Sequence, residues 1–197
     1  VVNDALVIVD AGGANLGSVR AAFARLGIDA PVTTDAARIA AAERVVLPGV
    51  GAAATVMSRL RELGLVDTIR SLQQPLLGIC VGMQVLYERC EEGEVEALGV
   101  IPGSVRALAG APGLRVPHMG WNRVRRCGTS PLLDDDGHAY FVHSYAADAD
   151  ERAVADCEHG TRFAAVVRER NFHGVQFHPE RSGEWGARVL ARFAGLS

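Results

Sequence analysis

Three short stretches carry side chains able to make and break a covalent bond. In Gly78-Ile79-Cys80-Val81-Gly82 a thiol sits between two glycines at the end of an apolar run. Small residues two before and two after a nucleophile suit a tight strand-to-helix turn that lifts the side chain above a sheet. Such a corner places the sulfur near a helix N-terminus, where the macrodipole favours thiolate over thiol. It also turns the Val81 N–H toward any carbonyl that Cys80 attacks. The same residues fit an ordinary βα turn around a buried cysteine. A second stretch, His178-Pro179-Glu180, offers a base and its orienting partner. Pro179 biases His178 toward extended backbone, where residues i and i+2 point to one side. Glu180 would then hold the imidazole that His178 presents to Cys80; a surface turn is the alternative. In the third, Leu47 to Gly51, glycines flank Val50 and let the backbone approach a ligand closely. N–H groups at Val50 and Gly51, completed by Val81 N–H, would form an oxyanion hole, each donor contributing roughly 3 kcal/mol. A plain Pro-Gly turn fits the third stretch too.

The surrounding pattern supplies elements to hold these groups. Ala5 to Val9 reads as a strand buried on both faces, followed by a glycine turn. Val19, Ala22, Phe23 and Leu26 then recur at helical spacing up to Gly27. The unit repeats with a strand over 44–47 and another over 75–80. After the latter the spacing predicts a helix bearing Met83, Leu86, Tyr87 and Cys90 on one stripe. Strands alternating with helices predict an α/β fold with a mostly parallel central sheet flanked by helices. The second half is β-rich and predicts antiparallel additions to that sheet, including a short strand over 175–177, before a last helix over 184–194. With no linker or internal repeat, residues 1–197 read as a single domain.

Composition narrows the function. The chain has 197 residues, 49 % of them hydrophobic and 22 % charged, with a formal net charge of −3. Nothing there argues for a nucleic-acid or membrane surface. The uncharged run 45–58 is too short and interrupted to span a bilayer. No basic, apolar leader is seen, so a cytoplasmic location is expected. Cys80, Cys90, Cys127 and Cys157 are unevenly spaced and read as thiols, with Cys90 in the core. Among the histidines, His118 and His143 read as hydrogen-bonded structural residues and His138 and His159 as solvent-facing loop residues. No pair has metal-ligand spacing, and no metal is expected.

With "GICVGMQ", "PGVG" and "HPE" together, the chain resembles the class I (triad-type) glutamine amidotransferases. Within that group, "PHMGWN" (117–122), "YFVHSY" (140–145), "GVQFHPERSG" (174–183) and the opening "VDAGGANLGSV" are similar to the glutaminase subunit of imidazole glycerol phosphate synthase, from histidine biosynthesis. The resemblance implies Cys80 as nucleophile, His178 as acid/base and Glu180 as its support. It puts glutamine binding on Gly51, Gln84 and Glu92, with main-chain contacts near Ser144 and Tyr145, and requires no cofactor. Gln84, one helical turn after Cys80, can face the same pocket. The implied partner is a cyclase subunit with a (β/α)8 barrel, forming a heterodimer over a face that includes Asn15, Met119, Trp121 and Arg181. Ala11, Ala14 and Arg181 depart from the pattern common in the family, which touches docking rather than hydrolysis. Two other readings are a glutaminase subunit of another class I amidotransferase and a stand-alone γ-glutamyl cysteine hydrolase.

Overall fold

The computed structural model describes residues 4–13, 15–110 and 113–195. Ala14, one of the departures noted above, lies outside them. The N-terminal half alternates strands β1 (Val7–Val9), β2 (Val32–Thr33), β3 (Val45–Gly49) and β4 (Leu76–Cys80) with helices. These are α1 (Leu16–Arg25), α2 (Ala36–Ala41), α3 (Ala53–Glu62), α4 (Val66–Arg70) and the single turn α5 (Val81–Gln84). Strands β5 (Tyr87–Cys90), β6 (Val95–Glu96), β7 (Ile101–Ala107), β8 (His118–Arg126), β9 (Gly137–His143) and β10 (Tyr145–Ala147) follow. Then come β11 (Ala153–His159), β12 (Thr161–Glu169), β13 (Phe172–Val175), a 3-10 turn at Pro179–Arg181 and α6 (Gly183–Ala194).

Among the described residues nine strands form one sheet in the order β2-β1-β3-β4-β13-β12-β11-β8-β9. The first five run parallel, and β12, β11, β8 and β9 add antiparallel pairings. Every residue of β1, β3 and β4 is buried, which is why these strands read as unbroken apolar runs. Val19, Ala22 and Phe23 form the buried stripe of α1, and α6 packs inward through Trp185, Val189, Leu190 and Phe193. No helix among the described residues is long and apolar enough to cross a membrane.

The structure departs from the expected pattern after Cys80. The helix stops at Gln84, and Tyr87–Cys90 belongs instead to a second sheet, ordered β10-β7-β5-β6. Met83, Leu86, Tyr87 and Cys90 are indeed buried. Burial at Tyr87 and Cys90 with Glu88 and Arg89 exposed mimics a helical turn. A register irregularity between Tyr87 and Arg89 against β7 gives a strand the same spacing. Strand pairing on both sides of β5, with Gly82 weakening any longer helix, decides the outcome. Two smaller differences follow. Strand β13 covers 172–175 rather than 175–177, although Gln176 N–H still donates to Ala165 C=O. His138 and His159 lie in strands, not loops; His159 is half-buried and its ring stacks on His118 at 4.2 Å.

Candidate active site

Parallel register brings three strand ends to one edge. Gly49 of β3 lies opposite Cys80 of β4, while Val175 of β13 lies opposite Ile79. The chain beyond Val175 therefore passes Cys80 and delivers His178 just past it. Cys80 adopts φ 54°, ψ −113°, a left-handed conformation costly for a residue with a Cβ. Its neighbours explain how the corner closes. A Cβ on Gly78 would fall 2.6 Å from Gly82 O, and one on Gly82 would fall 1.8 Å from Leu47 O. The glycines around the thiol are therefore a packing requirement between α5 and strands β3 and β4.

Cys80 and His178 line one cavity of about 360 Å³, together with Val50, Gly51, Val81, Gln84, Glu92, Pro117 and residues 142–145. His178 Nδ1 lies 2.8 Å from Glu180 Oε1, and the Glu180 side chain is fully buried. This bond commits Nδ1 and leaves Nε2 as the working nitrogen. Burial alone would lower the His178 pKa. Hydrogen bonds with Cys80 and Glu180, and their charges, outweigh it and push the value up to about 10. An imidazole held this way keeps its proton at neutral pH. Cys90 and Cys157 are pushed up to about 12 by burial, so neither competes as a thiolate.

The remaining predicted residues divide by position. Glu92 reaches the cavity wall, and its Oε2 accepts from Ala53 N–H at 2.9 Å, capping α3 where Ala52 provides no side-chain cap. Both N–H groups of the Gln84 amide are taken up by the protein, by Tyr145 C=O (2.9 Å) and Gln176 Oε1 (3.0 Å). Its carbonyl oxygen is what it can offer a ligand. Tyr145 C=O also accepts from His143 Nδ1 at 2.9 Å, so that carbonyl is doubly engaged; Ser144 C=O accepts from Leu108 N–H. Met119 and Trp121 alternate along β8 and are 64 % and 58 % exposed. The Arg181 guanidinium covers the Tyr140 ring at 4.4 Å, beside Trp121. Asn15, expected with them, is half-buried and donates its amide N–H to Glu180 Oε1 at 2.5 Å.

Two further contacts at the site involve pairings that the sequence reading did not single out. The Asn15–Glu180 bond joins residues on opposite ends of the chain. Gln176, fully buried, places Nε2 3.8 Å from Cys80 Sγ. Gln176 stands two residues before His178, so the i, i+2 relation that joins His178 to Glu180 also points to it.

A cysteine strained onto a strand-to-helix corner, backed by a His–Glu pair and facing a small polar-tipped cavity, is the constellation of an acyl-transfer enzyme that works through a thioester. The Glutamine amidotransferase class-I family model matches residues 7–195, and the chain belongs to that family. Solved structures agree on the fold. One described as a glutamine amidotransferase superposes with a TM-score of 0.77 at 22 % identity, covering 97 % of this chain and 100 % of the other. PurLQS from Thermotoga maritima gives 0.71 at 17 % identity, covering 95 % and 96 %. The particular relatives are proteins named imidazole glycerol phosphate synthase subunit HisH. That of Xanthomonas euvesicatoria is 55 % identical over 195 residues, 98 % of each chain. That of Xylella fastidiosa strain Temecula1 is 52 % identical over 191 residues, 95 % of this chain and 96 % of the other.

Proposed function

We propose that this chain, as one domain over residues 1–197 in the cytoplasm, is the glutaminase subunit of imidazole glycerol phosphate synthase and works by a Cys80-His178-Glu180 triad. The observation that carries the reading is the meeting of Cys80 and His178 over one cavity whose other walls include Gln84 and Glu92. Glutamine enters with its α-ammonium toward Glu92 and N–H groups toward the Gln84 carbonyl. The Cys80 sulfur attacks the side-chain amide carbon. Negative charge gathers on the amide oxygen, where N–H groups of Val50, Gly51 and Val81 are suited to receive it. His178 gives its proton to the departing nitrogen, so ammonia leaves rather than amide anion. Water, deprotonated by His178, then cleaves the γ-glutamyl thioester and releases glutamate. Glu180 holds the ring throughout.

Free ammonia is mostly protonated in neutral water and no longer nucleophilic, so a synthase has to receive it directly. A partner is therefore part of this reading: a (β/α)8-barrel cyclase docked over Met119, Trp121 and Arg181. Large apolar side chains left this exposed on one strand face suit a protein interface. The test is glutamate release by the chain mixed with a barrel cyclase, recorded with and without the nucleotide substrate. Release that rises on adding both is expected. Full release by the chain alone would favour the stand-alone hydrolase.

A further inference from the structure

The buried amides beside the nucleophile form a chain whose donors and acceptors can all be assigned. Tyr145 C=O can only accept, so the Gln84 atom 2.9 Å from it is the N–H-bearing Nε2. The other Nε2 hydrogen points to Gln176, 3.0 Å away, which fixes that atom as Gln176 Oε1. The Gln176 amide is thereby oriented, and its Nε2 is left against Cys80 Sγ at 3.8 Å. The Tyr145 carbonyl that anchors the series is itself held from the other side. Asn122 Nδ2 donates to Glu158 C=O (2.9 Å) and to His118 Nε2 (3.2 Å). His118 must then carry its proton on Nδ1, which donates to His143 Nε2 at 3.0 Å, and His143 Nδ1–H donates to Tyr145 C=O. Both directions of reasoning meet at that carbonyl without a conflict.

We infer that Gln176 is a catalytic residue: its Nε2–H donates to the sulfur of Cys80 and stabilises it as thiolate, in an orientation set by Gln84 and the Tyr145 carbonyl. The inference rests on the reading of Cys80 as nucleophile. Register supports it, because Gln176 follows Val175, the partner of Ile79, and so stands beside Cys80. Gln176 is fully buried, and the donor cannot be replaced by solvent. Val142 C=O, 3.9 Å from the sulfur, accepts from the thiol but repels a thiolate, so a donor to the sulfur carries more weight. Titratable groups lining the cavity with Cys80 are His178, His143, Tyr145 and Glu92, with Glu180 behind His178. None of them is changed by substituting Gln176.

The test is the pH dependence of iodoacetamide alkylation of Cys80 in the full chain. Cys127, the exposed cysteine, is replaced by Ser to remove background. In Gln176→Met the alkylation midpoint should rise by about one pH unit, which is a loss of roughly tenfold in rate at a fixed pH on the acid side. Gln176→Glu keeps the shape but sets a carboxylate beside the sulfur, and should raise the midpoint further. Gln84→Met leaves Gln176 in place but frees its amide, and should move the midpoint the same way by less; it serves if the Gln176 variants do not fold. An unmoved midpoint in the folded variants, with only KM for glutamine raised, would overturn the inference. Failure of the wild-type sulfur to be alkylated at all would instead sink the nucleophile assignment.

Discussion

At the scale of single residues, the site depends on one charge arrangement. Glu180 is buried, and one of its oxygens takes both the imidazole of His178 and the amide of Asn15; the other has no donor among the described residues. That carboxylate is one of the causes holding the His178 proton up to about pH 10, against the penalty of burial. The alkaline limb of kcat/KM for glutamine should therefore lie well above the ordinary histidine range. Glu180→Gln removes a raising cause, and the limb should move to lower pH, with kcat down by roughly 10²-fold or more. A pH–rate profile of the variant checks this, and an unmoved limb would detach Glu180 from the proton on His178.

At the scale of elements, the corner between β4 and α5 is the most constrained place in the fold. Leu47 O occupies the space into which a Cβ on Gly82 would project. Gly82→Ala should cost about 3 kcal/mol or more, since backbone rather than a flexible side chain has to move. Gly17, in α1 with open space around it, makes the contrast: Gly17→Ala should be neutral or stabilising by about 0.5–1 kcal/mol. Urea denaturation of the two variants measures both. This corner was also the most legible part of the sequence, because glycine spacing around a cysteine reports a local steric need. The pair His178 and Glu180 was legible for the same reason, since two residues apart is a distance local geometry controls. Where the chain goes after Gln84 was not. Met83, Leu86, Tyr87 and Cys90 are buried whether they line a helix or cross into a second sheet, and only the partners β6 and β7 decide between them. The bond from Asn15 to Glu180 was not legible either, because polarity near a glycine turn carries no information about a carboxylate far along the chain.

At the scale of the whole molecule, burial of neutral histidines sets the acid limit of stability. Burial holds His118 and His173 down to about 4 and His143 down to about 3, with neighbouring positive charge adding to the effect. Their unfolded values lie near 6.5. Between those limits the unfolded chain binds more protons than the folded one. The stability they contribute is thus present above about pH 6.5 and lost as pH falls toward 4. Each contributes a slope of roughly 1.4 kcal/mol per pH unit in that window. His173, which does not line the catalytic cavity, allows the cleanest check: His173→Phe should flatten the slope by about a third, read from urea midpoints at pH 7, 6 and 5. An unchanged slope would mean that His173 is protonated in the folded protein. The sheet that buries these rings also unites the site, since Cys80 and His178 meet only because β4 and β13 are parallel neighbours.

The most direct measurement of that meeting is mass spectrometry of the chain, with a barrel cyclase and its nucleotide present, after exposure to a glutamine analogue that alkylates thiols. One adduct on Cys80 is expected, absent in Cys80→Ser and slowed in His178→Asn. An unmodified Cys80 with the analogue carried on another cysteine, or labelling indifferent to His178, would contradict the account.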